Sequence, residues 1–197
     1  MAALRASDQV FSLGPAGTGK TYIAARWAIR QVLDGKKERV VIARPTVSKA
    51  HHKLGYRPGD QDSKVADWLV PLLDGFRDEV SAATLTKMRT TGQVEFAAFE
   101  TMRGRSFRNS VVLLDEAQNC DTSDLMLFLT RTGENSQVIV NGDQDQIDVP
   151  NSGLVEIVDM IARHNITAAV VRFGAADVVR SAIAREWVAA FAAERNK

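Results

Sequence analysis

The sequence predicts an α/β protein with a mainly parallel sheet flanked by helices, and three observations lead to this fold class. Short runs of β-branched and aliphatic residues recur along the chain, with helical patterns between them. The runs are nearly unbroken rather than alternating, as in strands that a parallel sheet buries on both faces. With 197 residues, 45% of them hydrophobic, the chain is long enough to enclose a core. We therefore expect one domain over residues 1–197.

The strands of this sheet are expected at five runs: Gln9–Leu13, Arg39–Ala43, Val111–Asp115, Gln137–Asn141 and Thr167–Phe173. The region between the second and third runs is less regular, and we interpret approximately residues 49–107 as a small insertion. A short additional strand is expected inside it, near Val94–Phe96. The insertion therefore separates the second strand from the strand that ends at Asp115.

Helical patterns predict four helices, at Thr21–Leu33, Ser63–Phe76, Ser123–Arg131 and Asp177–Ala193. The first is expected to end near Gly35, and Pro71 is expected to break or kink the second. The third follows a capping residue, Asp121 or Thr122, and stops at Gly133. The last is rich in alanine and amphipathic, so it closes the domain.

Composition excludes several classes of protein. The formal net charge is only +1, so the chain is not a polyelectrolyte, and any surface for nucleic acid must be local. The single cysteine, Cys120, rules out an internal disulfide and suits a reducing compartment. No run approaches the roughly 20 apolar residues that a membrane span needs. We expect a soluble, cytoplasmic protein that does not enter a membrane.

A phosphate-binding loop is predicted directly after the first strand. The stretch GPAGTGKT fits the pattern G-x-x-x-x-G-K-[ST] at the start of a helix, which is the context that the pattern requires. Backbone N–H groups and the helix N-terminus would bind the phosphates, Lys20 would reach the β- and γ-phosphates, and the Thr21 hydroxyl would bind Mg²⁺. An ordinary glycine-rich turn is the alternative. The predicted nucleotide-binding residues are Gly14, Pro15, Ala16, Gly17, Thr18, Gly19, Lys20 and Thr21.

Two acids, Asp115 and Glu116, end the third long strand run. Ligands of a parallel α/β sheet bind beyond the carboxyl ends of its strands, so these acids are expected beside the phosphate loop. Asp115 is predicted to hold Mg²⁺, and Glu116 to orient and deprotonate a water for attack on the γ-phosphate. The alternative is that both acids only cap the following turn. The pair favours hydrolysis over kinase chemistry.

A third polar group follows the next strand, in the stretch NGDQDQIDVP. It leaves the sheet at the same edge as Asp115, where an amide can contact the γ-phosphate or the attacking water. Gln146 is our candidate for this sensor. A polar turn closed by Pro150 is the alternative.

With these motifs the chain resembles the PhoH-like family of P-loop ATPases, relatives of the superfamily 1 helicase core. The resemblance rests on GPAGTGKTY, ARPTV, KLGYRPGD, MRGRSF, LLDEAQN, LTRTG, GDQDQIDVP, SGL and DVVR. It implies a RecA-like sheet, ATP binding and hydrolysis with Mg²⁺, ring-shaped oligomers such as hexamers, and action on RNA. The family positions for phosphate and magnesium match Lys20 and Thr21, those for magnesium and water match Asp115 and Glu116, and the sensor matches Gln146. Only thirteen residues precede Gly14, so the adenine-recognising glutamine segment of the family is expected to be missing or shortened, which leaves ATP or GTP open.

Several basic residues are candidates for contacts with single-stranded RNA or DNA. Arg44 ends the second strand at the ligand edge, where helicase relatives touch the nucleic-acid backbone. Others gather in the insertion: Lys87, Arg89, Arg103, Arg105 and Arg108. Contacts of this kind would be independent of base sequence and sensitive to salt. A solvated surface or a subunit contact is the alternative for these residues.

The leading functional hypothesis is a nucleic-acid-stimulated ATPase, such as an RNA remodeller or helicase-like protein. A P-loop kinase and a nucleotide-dependent switch or scaffold are the alternatives. Fast hydrolysis generally needs a cationic finger, and a chain with one RecA-like lobe is expected to take it from a neighbouring subunit of a ring. Arg180 in DVVR is the first candidate and Arg131 in LTRTG the second, although either could act within its own chain or form a salt bridge.

Overall fold

The structure is a computed structural model. It describes residues 1–45, 70–102, 104–144, 146, 147, 149, 151–179, 183, 186, 187 and 190.

Six parallel strands form one sheet in the order β3-β2-β4-β5-β1-β6. The strands are β1 Gln9–Leu13, β2 Arg39–Arg44, β3 Val94–Ala98, β4 Ser110–Leu114, β5 Gln137–Gly142 and β6 Ala169–Arg172. This confirms the predicted α/β class, with all five long strands and the short one. The short strand, β3, pairs with β2 over five positions, so it belongs to the main sheet. It is the last strand at one side of that sheet.

Six α-helices have their bounds within the described residues: α1 Ala2–Ala6, α2 Lys20–Leu33, α3 Val70–Arg77, α4 Ala82–Thr90, α5 Thr122–Leu129 and α6 Leu154–Arg163. Asp121 is the N-cap of α5, because its side chain accepts a hydrogen bond from the Asp124 N–H. Gly35 stops α2 with φ +68°, as the sequence predicts. The second predicted helix, Ser63–Phe76, is described only from Val70 onwards, where it corresponds to α3.

Helices cover both faces of the sheet, which explains why the strand runs are unbroken. Alternate strand residues point to opposite faces: Val111 and Leu113 pack with α1 to α4, whereas Val112 and Leu114 pack with α5 and α6. The described part of the expected insertion contributes α3, α4 and β3 to these same layers. This described part therefore packs in the same layers as the rest of the sheet and its helices.

Two helical predictions differ from the structure. Helix α6 was not predicted, although its buried residues Leu154, Ile157, Val158 and Ile161 follow the helical spacing. The predicted closing helix, Asp177–Ala193, lies mostly outside the described residues. Of its described positions, 183, 186, 187 and 190 are helical, whereas Asp177 ends a short 3-10 turn at Ala175–Asp177 and residues 178 and 179 are not helical.

The sheet order brings the carboxyl ends of four strands together. Strands β2, β4, β5 and β1 are consecutive neighbours, and each ends at one of the predicted functional segments. No helix within the described part of the chain is both long and apolar enough to cross a membrane.

Candidate functional site

The loop between β1 and α2 is held closely against two neighbouring strands. The Gly14 N–H donates to the Gly142 carbonyl at the end of β5, at 3.1 Å. On the other side, a Cβ added to Gly14 would lie 2.3 Å from the Phe173 carbonyl oxygen, just after β6. With φ +145°, Gly14 also has a backbone conformation that other residues rarely adopt. Both the lack of room for a Cβ and the positive φ therefore require glycine at the first position of the predicted loop.

The Lys20 amine lies inside this loop. It donates to the carbonyl oxygens of Gly14 and Pro15, at 2.6 and 2.8 Å. Burial lowers the pKa of Lys20, and the nearby carboxylates of Asp143, Asp115 and Glu116 oppose that shift. The amine is thus placed where the loop curls, with its charge balanced by three acids.

Thr21 and Asp115 meet at the start of α2. The Thr21 hydroxyl donates to Asp115 Oδ1 at 2.8 Å, and Asp115 is only 4% exposed. Burial raises the pKa of the Asp115 carboxyl, and the hydrogen bond from Thr21 partly offsets this. The neighbouring Asn141 is buried and its Oδ1 has no hydrogen-bond partner among the described residues. These oxygen donors fit Mg²⁺, which proteins commonly bind through one or two carboxylates together with substrate phosphates.

Glu116, the second residue after β4, has a left-handed backbone with φ +58°. Both of its carboxylate oxygens have partners: Arg44 Nη2 lies 3.2 Å from Oε1, and Gln118 Nε2 donates to Oε2 at 2.6 Å. Left-handed conformations of non-glycine residues persist only where the surroundings hold them, and they concentrate at functional sites. The side chain is therefore held between the ends of β2 and β4.

The segment after β5 closes the site. The buried Asp143 carboxylate accepts a hydrogen bond from the Ala16 N–H of the loop, at 3.1 Å. The exposed Gln146 follows, and its N–H donates to the Asp143 carbonyl. These groups line one cavity of about 290 Å³, bounded by Ala16, Gly17, Gly19, Lys20, Thr21, Tyr22, Asp115, Glu116, Asn141, Gly142, Asp143 and Gln146. A larger groove of about 880 Å³ runs along α2 and shares only Tyr22 with this cavity.

The structure thus brings together the predicted loop residues, Lys20, Thr21, Asp115, Glu116 and Gln146. Arg44 joins them through its ion pair with Glu116. Arg180, the first finger candidate, and Arg103 lie outside the described residues.

Arg131, the second finger candidate, lies near the amino ends of the strands, at the other end of the sheet from the predicted phosphate loop. Its carbonyl accepts from the Phe107 N–H, and Phe107 precedes the amino end of β4. The phosphate loop follows the carboxyl end of β1, and all strands are parallel. Arg131 is therefore not placed to act on the predicted phosphate site of its own chain.

The described basic residues of the expected insertion contact different partners. Arg105 pairs with Glu95 through two contacts of 2.5 and 2.8 Å, while Arg89 lies over the Phe96 ring at 5.3 Å. Glu95 and Phe96 are successive residues of β3, so their side chains point to opposite faces. Lys87 and Arg108 are exposed. Arg105 and Arg89 therefore contact side chains on opposite faces of β3.

Sequence reasoning missed three residues of the site, Asn141, Asp143 and Gln118. The strand-end position of the stretch NGDQ indicated the first two, but the sensor assignment went to Gln146. Gln118 lies two residues after Glu116, and no spacing rule indicates that its side chain turns back towards the acid.

Comparison with known proteins gives a family match and relatives for this chain. A family described as PhoH-like protein matches residues 1–192. A PhoH-like protein of Mycobacterium leprae (strain TN) is 38% identical over 193 residues, covering 96% of this chain and 55% of the relative. The chain thus spans about half the length of the curated relatives it matches.

Solved structures resemble the fold. The large terminase from a thermophilic bacteriophage superposes with a TM-score of 0.59 at 11% identity, covering 94% of this chain and 45% of that chain. The Pyrococcus furiosus Hef helicase domain gives a TM-score of 0.52 at 16% identity, covering 88% of this chain and 36% of that chain. At such identities these likenesses show a shared RecA-like P-loop NTPase fold.

Proposed function

This chain belongs to the PhoH-like protein family, and we propose that it binds ATP with Mg²⁺ and hydrolyses it. The observation that supports this most directly is the bond between Thr21 and Asp115, which joins the phosphate loop to the acid after β4. A hydroxyl and a buried carboxylate in contact form the pair of ligands that a nucleotide-bound Mg²⁺ needs. Residues 1–197 are proposed to act as one domain.

Nucleotide binding would use groups that the loop already presents. The N–H groups of residues 14–19 and the start of α2 would bind the phosphates, because N–H groups at a helix N-terminus attract anions. Lys20 would exchange its two carbonyl partners for phosphate oxygens, to which its charge is better matched. Magnesium bound by Thr21 and Asp115 would neutralise charge on the β- and γ-phosphates.

Hydrolysis would use Glu116 as the base. A water beside Glu116 attacks the γ-phosphorus in line, the bond to the bridging oxygen breaks, and the water proton passes to the carboxylate. Gln146 lines the same cavity and would contact the γ-phosphate or this water. The products are then ADP and phosphate.

Stimulation by single-stranded RNA or DNA belongs to the same proposal, as does assembly into a ring, most simply a hexamer. Arg44 supports the first, because it ends β2 beside Glu116 and can connect a bound phosphate backbone to the catalytic carboxylate. Arg180, or Arg131 of a neighbouring subunit, would supply the cationic finger. A nucleotide-dependent switch or scaffold with incidental turnover is the second candidate function.

Phosphate release, measured with and without single-stranded RNA and DNA, tests the proposal. We expect magnesium-dependent release that Lys20→Ala abolishes through lost binding, and that Glu116→Gln abolishes while nucleotide binding persists. Binding without turnover in the unchanged protein would favour the switch. Release at the parental rate from Glu116→Gln would contradict the role of Glu116.

A further inference from the structure

The Gln118 side chain is almost completely enclosed, at 2% exposure, and makes two hydrogen bonds. Its Nε2 donates to Glu116 Oε2 at 2.6 Å, and its Oε1 accepts from the Asp143 N–H at 3.0 Å. Chemistry fixes this orientation of the amide, because a carboxylate needs a donor and a backbone N–H needs an acceptor.

These two bonds connect the parts of the site that come from different strands. Glu116 follows β4, and Asp143 follows β5 and accepts from Ala16 of the phosphate loop. Gln118 therefore links the carboxylate of the proposed base to the segment that holds the loop. The position of one determines the position of the other.

Arg44 acts on the same carboxylate from the opposite side. It lies 3.2 Å from Oε1, so the carboxylate lies between a cation and a neutral donor. Without the donor, the ion pair would decide where the carboxylate points, because Arg44 is the other side chain of the described residues that contacts it. The carboxylate would then turn towards the end of β2.

We propose that Gln118 is a positioning residue that holds the Glu116 carboxylate in its catalytic direction against the attraction of Arg44. Gln118 also keeps the Glu116 carboxylate at a constant position relative to the segment after β5, which carries Gln146. The inference rests on the proposed hydrolysis, and it assigns a role to a residue that is not part of the cavity lining.

Two substitutions separate the two bonds. Gln118→Met keeps the length and burial of the side chain but removes both bonds. Gln118→Glu keeps an acceptor for the Asp143 N–H but replaces the donor to Glu116 with a second carboxylate. A role limited to supporting the end of β5 predicts that Gln118→Met loses the same factor in activity whether or not Glu116 is present.

The experiment measures kcat and KM for ATP in both variants, alone and combined with Glu116→Gln, with single-turnover rates where turnover is slow. We expect either variant alone to lower kcat by about 10- to 100-fold, the range for a lost hydrogen bond to a charged group. KM should change little in Gln118→Glu, because this variant keeps the bond to the segment that holds the phosphate loop. Neither substitution should lower the residual rate of Glu116→Gln further, because residues that act through one another are not additive.

Melting temperature and binding of a non-hydrolysable ATP analogue, measured on every variant, show that each one is folded. Wild-type kcat in Gln118→Glu, or an equal loss from Gln118→Met in both backgrounds, would overturn this inference alone. A parental rate in Glu116→Gln would overturn the proposed base and the inference together.

Discussion

Gly14→Ala provides the sharpest test of how the phosphate loop is fixed. The added Cβ would lie 2.3 Å from the Phe173 carbonyl oxygen and 2.9 Å from the Phe173 Cβ. Neither side can easily move, because the Phe173 N–H bonds the Leu13 carbonyl at 2.7 Å and the Gly14 N–H bonds Gly142 at 3.1 Å. Relief of the clash therefore requires that a sheet hydrogen bond is lost.

Two other glycines separate the contributions to the expected cost. Gly35→Ala introduces backbone strain alone, since φ is +68° with open space around it, and should cost about 1–2 kcal/mol. Gly153→Ala introduces a clash alone, with Thr122 N at 2.3 Å and φ −87°, and should cost about 1–3 kcal/mol. Gly14→Ala combines strain and clash, so we expect about 2–6 kcal/mol.

Urea and thermal unfolding, followed by circular dichroism, measure these costs. The melting temperature of a chain of this size falls by roughly 2–4 °C for each kcal/mol, so the differences are resolvable. Gly14→Ala should be the least stable of the three variants at an unchanged m-value. A loss in Gly14→Ala no larger than that in Gly35→Ala would refute the argument that Phe173 blocks a side chain there.

Two further predictions concern an ion-pair network and the subunit contact. Glu79 accepts from Arg26 at 2.7 Å and Arg30 at 2.6 Å, and the bond from Arg26 chiefly lowers the pKa of its carboxyl. Its stabilisation is therefore complete above the unfolded-state pKa and disappears as pH falls through the lowered one. Glu79→Gln should destabilise the protein more at pH 7 than at acidic pH, and an equal loss at both would contradict this. A mixture of Lys20→Ala and Arg180→Ala chains should regain ATPase activity that neither has alone, and full activity of Arg180→Ala alone would exclude Arg180 as the finger.

The sequence predicted the sheet well because parallel strands buried on both faces leave a strong local signal. Each of the long runs lies within a residue or two of an observed strand. Helix α6 was missed although its spacing is regular, since the polar turn before it carries no side-chain cap that would mark its start. The position of β3 in the strand order depends on its pairing with β2, and no local sequence pattern predicts that pairing.

The site divides in the same way. The phosphate loop and the acids after β4 follow from motifs whose residues are close in sequence. Gln118 and Asp143 depend on contacts between separate segments, and the division of Arg89 from Arg105 depends on which face of β3 each one meets. Residue types alone cannot determine these contacts.

The position of β1 has a consequence for how the chain acquires its shape during synthesis. β1 precedes the other five strands of the sheet in the sequence, yet its partners are β5 and β6, and the hydrogen bond between Ala16 and Asp143 joins positions 127 apart. Such distant pairings form late, because a long loop must be closed before any contact compensates for the lost entropy. A nascent chain therefore carries an apolar strand with two open edges until β5 is complete, which exposes it to aggregation. Nucleotide would then stabilise only finished chains, by mass action on the folded state.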